Sequence, residues 1–203
     1  MTNCAVIYYC NDYDFECEKF LSLLPTERLE KYHRIKLERD KKNCVGAYLL
    51  LLKGLKDFGI DGFELEYGEN GKPYIKGNPV YFNLSHSKNG FACALDVRKI
   101  GVDFQEIVIP RDTTVKKVCS QSELKAVSNN SIAFTRLWTL KESVIKKNGE
   151  TIADYGKYEF PIIGEDFCAY GNHFISFVYE NSVISVCGEF PDYKIQKIKS
   201  TEL

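Results

Sequence analysis

Apolar and polar positions follow two rhythms along the 203 residues, and each change of rhythm marks an element. Val6 to Tyr9 is a short apolar run that predicts a first buried strand. Asp14 to Leu24 carries Phe15, Phe20 and Leu23/Leu24 at helical spacing as far as Pro25, which predicts a helix. A long helical region is expected from Thr26, a candidate N-cap, to about Phe58, where Gly59 stops it. Phe63 to Tyr67 alternates as a half-buried strand, and Asn70-Gly71 signals a turn into Lys72 to Ile75. Val80 to Ser87 and Phe91 to Asp96 read as strands joined at Asn89-Gly90. Ile100 to Gln105 is the next strand, with Asp103 and Gln105 on one face and Val102, Phe104 and Glu106 on the other. Asp112 to Cys119 and Ser122 to Val127 predict short helices, and Ser131 to Lys147 a long one ended by Asn148-Gly149. Tyr158 to Phe160, Phe174 to Tyr179 and Val183 to Cys187 read as antiparallel strands, the last two joined at Glu180-Asn181. The stretch Gly164 to Asn172 receives no element, and the polar tail beyond Pro191 is expected to be loosely held. The order predicts an α+β chain of two similar halves, residues 1–98 and 99–203, packed together without a low-complexity linker.

Composition narrows the picture. A chain that is 44% hydrophobic and 27% charged can bury a core without staples, and its net charge of -1 gives no global attraction to nucleic acid or to an anionic membrane. Any anion site must come from local clustering. The eight cysteines are scattered with no CxxC pair, which predicts reduced thiols. Nothing at the start resembles a signal peptide, since Asn11, Asp12, Asp14 and Glu16 soon follow the first apolar run. Tyr48 to Leu52 falls far short of the roughly 20 apolar residues that span a bilayer. A cytoplasmic protein is expected.

Three places carry candidate chemistry. Between Arg28 and Lys42 the helical region is strongly basic. The run is either a solvated face or, through the stripe of Arg28, Lys31 and either Arg34 or His33, a multivalent grip for phosphate. Without base-stacking aromatics and a large positive charge, nucleic acid is a poor fit. The strand ending in Ser85, His86 and Ser87 delivers small polar groups to the end of a sheet, although His86 could be purely structural. In Trp138-Thr139-Leu140-Lys141-Glu142-Ser143-Val144-Ile145-Lys146, helical geometry puts Trp138, Glu142 and Ile145 on one face with Lys141 and Lys146 beside it. A carboxylate between lysines suits a hard cation bound to phosphate oxygens; the alternative is an exposed i,i+4 pair of Glu142 and Lys146. Asp103, flanked by Val102 and Phe104, is expected to be partly buried and to need a partner, either a divalent cation or a structural ion pair.

Together, Asn83-Leu84-Ser85-His86-Ser87, Ile100-Gly101-Val102-Asp103 and Phe134 to Trp138 running into Lys141-Glu142-Ser143-Val144-Ile145-Lys146 resemble the signature blocks of the Sfp-type phosphopantetheinyl transferases, in order and spacing. Gly71-Lys72-Pro73-Tyr74 resembles the segment before the first block, and the likeness runs from about Leu24 to Gly149. The resemblance implies two halves packed as a pseudo-dimer and a monomeric enzyme. It implies transfer of the phosphopantetheine arm of coenzyme A to a serine of an apo acyl or peptidyl carrier protein, releasing adenosine 3′,5′-bisphosphate. Asp103 and Glu142 would hold Mg²⁺, or Mn²⁺, against the pyrophosphate, and Glu142 or a water it orients would take the serine proton. Lys146 and Lys141 would contact the pyrophosphate; Arg28, Lys31, Lys72, Ser85 and His86 would contact the adenine and 3′-phosphate end. Many relatives carry an acid at the position of Gln105, where an amide offers only a neutral oxygen, directly or through a water. A Mg²⁺-dependent nucleotide or pyrophosphate hydrolase and a non-catalytic coenzyme A or carrier-binding protein are the competing readings.

Overall fold

The computed structural model describes residues 4–68, 71–77, 79–160 and 164–203. The chain is α+β. In order, its regular elements are strand β1 (Ala5–Cys10), helices α1 (Thr26–Arg34) and α2 (Glu38–Asp57), and strands β2 (Leu65–Tyr67), β3 (Pro73–Ile75), β4 (Tyr81–Ser87), β5 (Gly90–Asp96) and β6 (Ile100–Glu106). Helices α3 (Asp112–Val118), α4 (Gln121–Val127) and α5 (Ser131–Asn148) follow, then strands β7 (Asp166–Ala169), β8 (Asn172–Tyr179), β9 (Ser182–Gly188) and β10 (Tyr193–Lys197).

Two four-stranded sheets carry the architecture, with strand orders β10-β1-β5-β4 and β6-β9-β8-β7. Period-two alternation sends Val6, Tyr8, Cys93 and Leu95 toward α2. Their neighbours Ile7, Tyr9, Ala92 and Ala94 meet Val102, Phe104, Ile184 and Val186 of the second sheet. Helix α5 covers the far side of that sheet, where Leu140 and Val144 pack with Phe174 and Cys187. The layers therefore run helix, sheet, sheet, helix. Glycine sets how closely α2 lies on its sheet, because a Cβ at Gly46 would fall 2.3 Å from the Phe91 ring.

Several expected elements differ. Asp14 to Leu24 is not an α-helix but a 3-10 turn over Cys17–Leu23. The Asp12 carboxylate accepts from the Asp14 amide at 3.0 Å, favouring a turn at its entrance. The helical region from Thr26 to Phe58 is two helices, because Ile35 and Leu37 are extended. Ile35 packs against the core, so the break lets each helix orient its own apolar face. Pro25 rather than Thr26 is the N-cap, which leaves Thr26 inside the first turn. Tyr158 to Phe160 joins no sheet: the Tyr158 amide donates to the Tyr155 carbonyl, the Glu159 amide to the Tyr170 hydroxyl and the Phe160 amide to Glu123, so its donors are satisfied without a strand partner. The stretch to which the sequence assigns no element supplies β7, which turns into β8 through Tyr170 and Gly171 at positive φ. The tail beyond Pro191 is pinned rather than loose. Strand β10 pairs in parallel with β1, Ile198 is buried, and the Ser200 hydroxyl donates to Asp12 at 2.6 Å. Of the Asn70-Gly71 turn, Asn70 lies outside the described residues; Gly71 takes φ 71°.

Candidate active site at the seam between the sheets

The seam forms where β4, an edge of the first sheet, runs beside β6, an edge of the second. No backbone ladder joins them. Instead the Asn83 side-chain oxygen accepts from the Val102 amide at 2.9 Å, and the Ser85 hydroxyl accepts from the Phe104 amide at 3.0 Å. Two polar side chains of β4 thus satisfy donors that an edge strand would otherwise leave unpaired.

On β6, Gly101, Asp103 and Gln105 share the face toward α5. A Cβ on Gly101 would lie 2.0 Å from the Ser143 carbonyl oxygen and 2.6 Å from the Lys147 nitrogen, so only glycine admits the helix at this distance. The helix is held along its length by Thr139, whose hydroxyl lies 2.6 Å from that of Ser185 on β9, and by Lys147, which pairs with Glu189 at 2.9 Å. The side chain of Asn130 caps its start, and Gly149 at φ 72° closes its end. Close packing over Gly101 brings Glu142 and Lys146 to Asp103.

Asp103 is 5% exposed, and its Oδ1 accepts from the Ser85 hydroxyl at 2.8 Å and from the Lys146 ammonium at 2.5 Å. Lys146 also donates to the Ser85 hydroxyl at 3.0 Å. Glu142 accepts a hydrogen bond from the Tyr155 phenol. Its carboxyl is shifted up, first by burial and further by the charge of Asp103, against lowering by Tyr155 and Lys146. The two carboxylates therefore feel each other's charge, with Lys146 the cation beside them. Among the described residues no cluster of three or more His, Cys, Asp or Glu has the geometry of a metal site. Two carboxylates near enough for the charge of Asp103 to act on Glu142 nevertheless fit a hard divalent ion that takes its other oxygens from water and substrate phosphate.

Beside this pair lies a basic cavity of about 170 Å³, walled by Arg28, Lys31, Asn83 and His86. A neighbouring lobe of about 200 Å³ shares Arg28, Lys31 and Pro73 and adds Tyr48, Tyr67 and Gly71. Arg28 is held by the Cys44 carbonyl at 2.8 Å and lies over the Tyr48 ring at 5.3 Å, which aims its remaining donors at the cavity. Desolvation, followed by the charges of Lys31, Lys146 and Arg28, lowers His86 below the ordinary histidine value.

The structure thus brings together Asp103, Glu142, Lys146, Ser85, His86, Arg28 and Lys31. Lys141 does not join them. Its ammonium is 2.8 Å from Glu123 and 2.8 Å from the Val118 carbonyl, with side chains 2% and 0% exposed, so the expected pyrophosphate contact is not made. One helical position is a rotation of about 100°, which turns Lys141 away from Glu142 and toward α4. Lys72 reaches the seam by another route: its ammonium donates to the carbonyls of Lys146 and Lys147 at 2.6 and 2.8 Å, capping the end of α5. Burial, then Lys99 and Lys147, lower it to about 8. Gln105 lines a separate cavity of about 310 Å³ with Ile109, Phe134 and Trp138. Tyr155 gave no signal in the sequence, since it lies 13 residues beyond Glu142 in a 3-10 turn that no periodicity marks. No helix among the described residues is long and apolar enough to cross a membrane.

Residues 99–187, the span from the start of β6 into β9, match the family described as the 4′-phosphopantetheinyl transferase superfamily. The chain is 29% identical over 147 residues to a 4′-phosphopantetheinyl transferase of Bacillus subtilis, and 29% identical over the same length to 4′-phosphopantetheinyl transferase Sfp of Bacillus subtilis strain 168. Each match covers 68% of this chain and 66% of the relative, just under two thirds of its length. The 4′-phosphopantetheinyl transferase AcpT of Salmonella typhi is 38% identical over 96 residues, covering 42% of this chain and 50% of that protein.

Proposed function

We propose that the chain is a 4′-phosphopantetheinyl transferase of the Sfp type, which transfers the 4′-phosphopantetheine arm of coenzyme A to a serine of an apo carrier protein. The products are the holo carrier and adenosine 3′,5′-bisphosphate. The observation that carries this reading is that Lys146 contacts Asp103 while both act by their charge on Glu142, beside a basic cavity.

In this reading Arg28, Lys31 and His86 hold the 3′-phosphate and adenine end, with residues 1–98 supplying that end and 99–203 the reacting end. Ser85 and Lys72 act at one remove, Ser85 by orienting Asp103 and Lys72 by fixing the helix end that carries Lys146. Asp103 and Glu142 would hold Mg²⁺ or Mn²⁺, with Gln105 able to offer a neutral oxygen. Bound there, the ion would supply positive charge that offsets the negative charge developing on the leaving group. The serine oxygen forms a bond to the phosphorus next to pantetheine while the bond from that phosphorus to the bridging oxygen breaks. Lys146 neutralises the bisphosphate that departs with the bond electrons. The serine proton passes to Glu142, or to a water it orients.

The finer description is a holo-[acyl-carrier-protein] synthase type of reaction, on carriers of peptide synthetase, polyketide or fatty-acid systems, by a cytoplasmic monomer. The free thiols of all eight cysteines support a reducing compartment. The test is incubation with coenzyme A, Mg²⁺ and a panel of apo carriers, followed by intact mass of the carrier. Gain of the phosphopantetheine mass, abolished in Glu142→Gln and Asp103→Ala, is expected. Consumption of coenzyme A without carrier gain would instead mean hydrolysis, and neither change would leave a binding protein.

A further inference from the structure

Tyr155 is used by nothing described so far except its contact with Glu142. It sits on the 3-10 turn Ile152–Lys157, which folds back over α5 and is fixed by a capping box between Thr151 and Asp154. Its ring is 3% exposed and meets Trp138 edge-on at a centroid distance of 5.9 Å. The phenol is therefore a donor held by packing, aimed at one oxygen of a carboxylate that has several rotatable bonds of its own. Glu142 occupies Oε1 in this bond, which leaves Oε2 for other partners.

We propose that Tyr155 is a positioning residue for transfer, holding the Glu142 carboxylate so that its second oxygen faces Asp103 and the bound phosphates. The inference rests on the transferase reading of the site. A phenol donating to one oxygen fixes the orientation of the other, in the way that outer hydrogen bonds orient the direct ligands of metal ions. The donor is neutral, so it restrains Glu142 without competing as a cation for the substrate phosphates. Lys146 supplies the charge and Tyr155 supplies the direction.

Tyr155→Phe keeps the ring and its packing and removes only the donor. Tyr158→Phe is the matched control, since Tyr158 is a buried phenol that donates at 2.7 Å to Glu150, outside the site. Mn²⁺ is titrated into each protein with saturating coenzyme A and followed by the loss of the free-ion electron paramagnetic resonance signal. Carrier loading is measured alongside. For Tyr155→Phe the expected result is Mn²⁺ binding weaker by about tenfold or more and kcat reduced by a similar factor. KM for coenzyme A should stay within about twofold, because the basic cavity is untouched. Tyr158→Phe should bind Mn²⁺ and load carrier as the unmodified chain does, whatever its unfolding midpoint. Unchanged Mn²⁺ affinity and kcat in Tyr155→Phe, or equal losses in both variants, would overturn the role of Tyr155 while leaving the transferase reading intact. If the unmodified chain loads no carrier from coenzyme A, the transferase reading fails first.

Discussion

A buried aspartate on a strand needs partners, and Asp103 finds them in the Ser85 hydroxyl at 2.8 Å and the Lys146 ammonium at 2.5 Å. Each partner comes from a different element, β4 and α5, so the carboxylate is also the point where three elements are joined. Lys72 works by a related principle from β3's flank, placing an ammonium on the last carbonyls of α5. Its folded value of about 8 lies below the ordinary 10.5, so between those pH values the unfolded chain holds a proton that the folded chain has released. This group therefore makes the unfolding free energy rise with pH across that interval. Urea denaturation of the unmodified chain and of Lys72→Met at pH 7.5 and pH 9.5 should show the first gaining on the second as pH rises. A difference that stays flat or shrinks would mean that the helix carbonyls keep the ammonium charged. The faces that Asp103 and Glu142 occupy were legible in the sequence because strand and helix periods fix them. Lys141 was misread because flanking a face along a helix does not say whether the flank is turned to solvent or to the core. The core held a glutamate, Glu123, that no local pattern could reveal.

At the scale of elements, the approach of α5 to β6 decides whether the site exists. Gly101→Ala would put a methyl 2.0 Å from the Ser143 carbonyl and 2.6 Å from the Lys147 nitrogen, both backbone atoms that cannot rotate aside. The expected cost is about 1–3 kcal/mol of stability as the helix lifts. Carrier loading should fall by more than that stability loss explains, since Glu142 and Lys146 move off Asp103 together. The urea midpoint and the loading rate, measured well below the unfolding transition, check both halves of the expectation; a normal rate would show that the packing distance is not critical. The elements that build this contact were also the most legible. Helix α5 has a long apolar period and a stop at Asn148-Gly149, and β6 alternates cleanly. Elements whose limits are set by tertiary contacts were not. The break at Ile35 to Leu37 serves two helices with different burial faces, and Tyr158 to Phe160 has strand-like residues whose amides are taken by Tyr155, Tyr170 and Glu123. β7 is short and half exposed, so its alternation carried little apolar signal.

For the whole molecule, the chain crosses between its two sheets more than a division near residue 99 suggests. After completing the second sheet it returns, and β10 becomes the edge of the first beside β1, with Ile198 and Ser200 fastening it. A polar strand with one buried neighbour reads as a loose tail until its partner is known. The sandwich of sheets between α2 and α5 then has one seam, at β4 and β6, where polar side chains substitute for a ladder, and the carboxylates and the basic cavity both open there. The central claim is that Asp103, from the sheet, and Glu142, from the helix, hold one ion at that seam. Titration of Mn²⁺ into the coenzyme A complex tests it directly, with the unmodified chain compared with Asp103→Ala and Glu142→Gln. One ion bound per chain, lost in each single variant, is the predicted result; an ion that stays bound when either carboxylate is removed would contradict it.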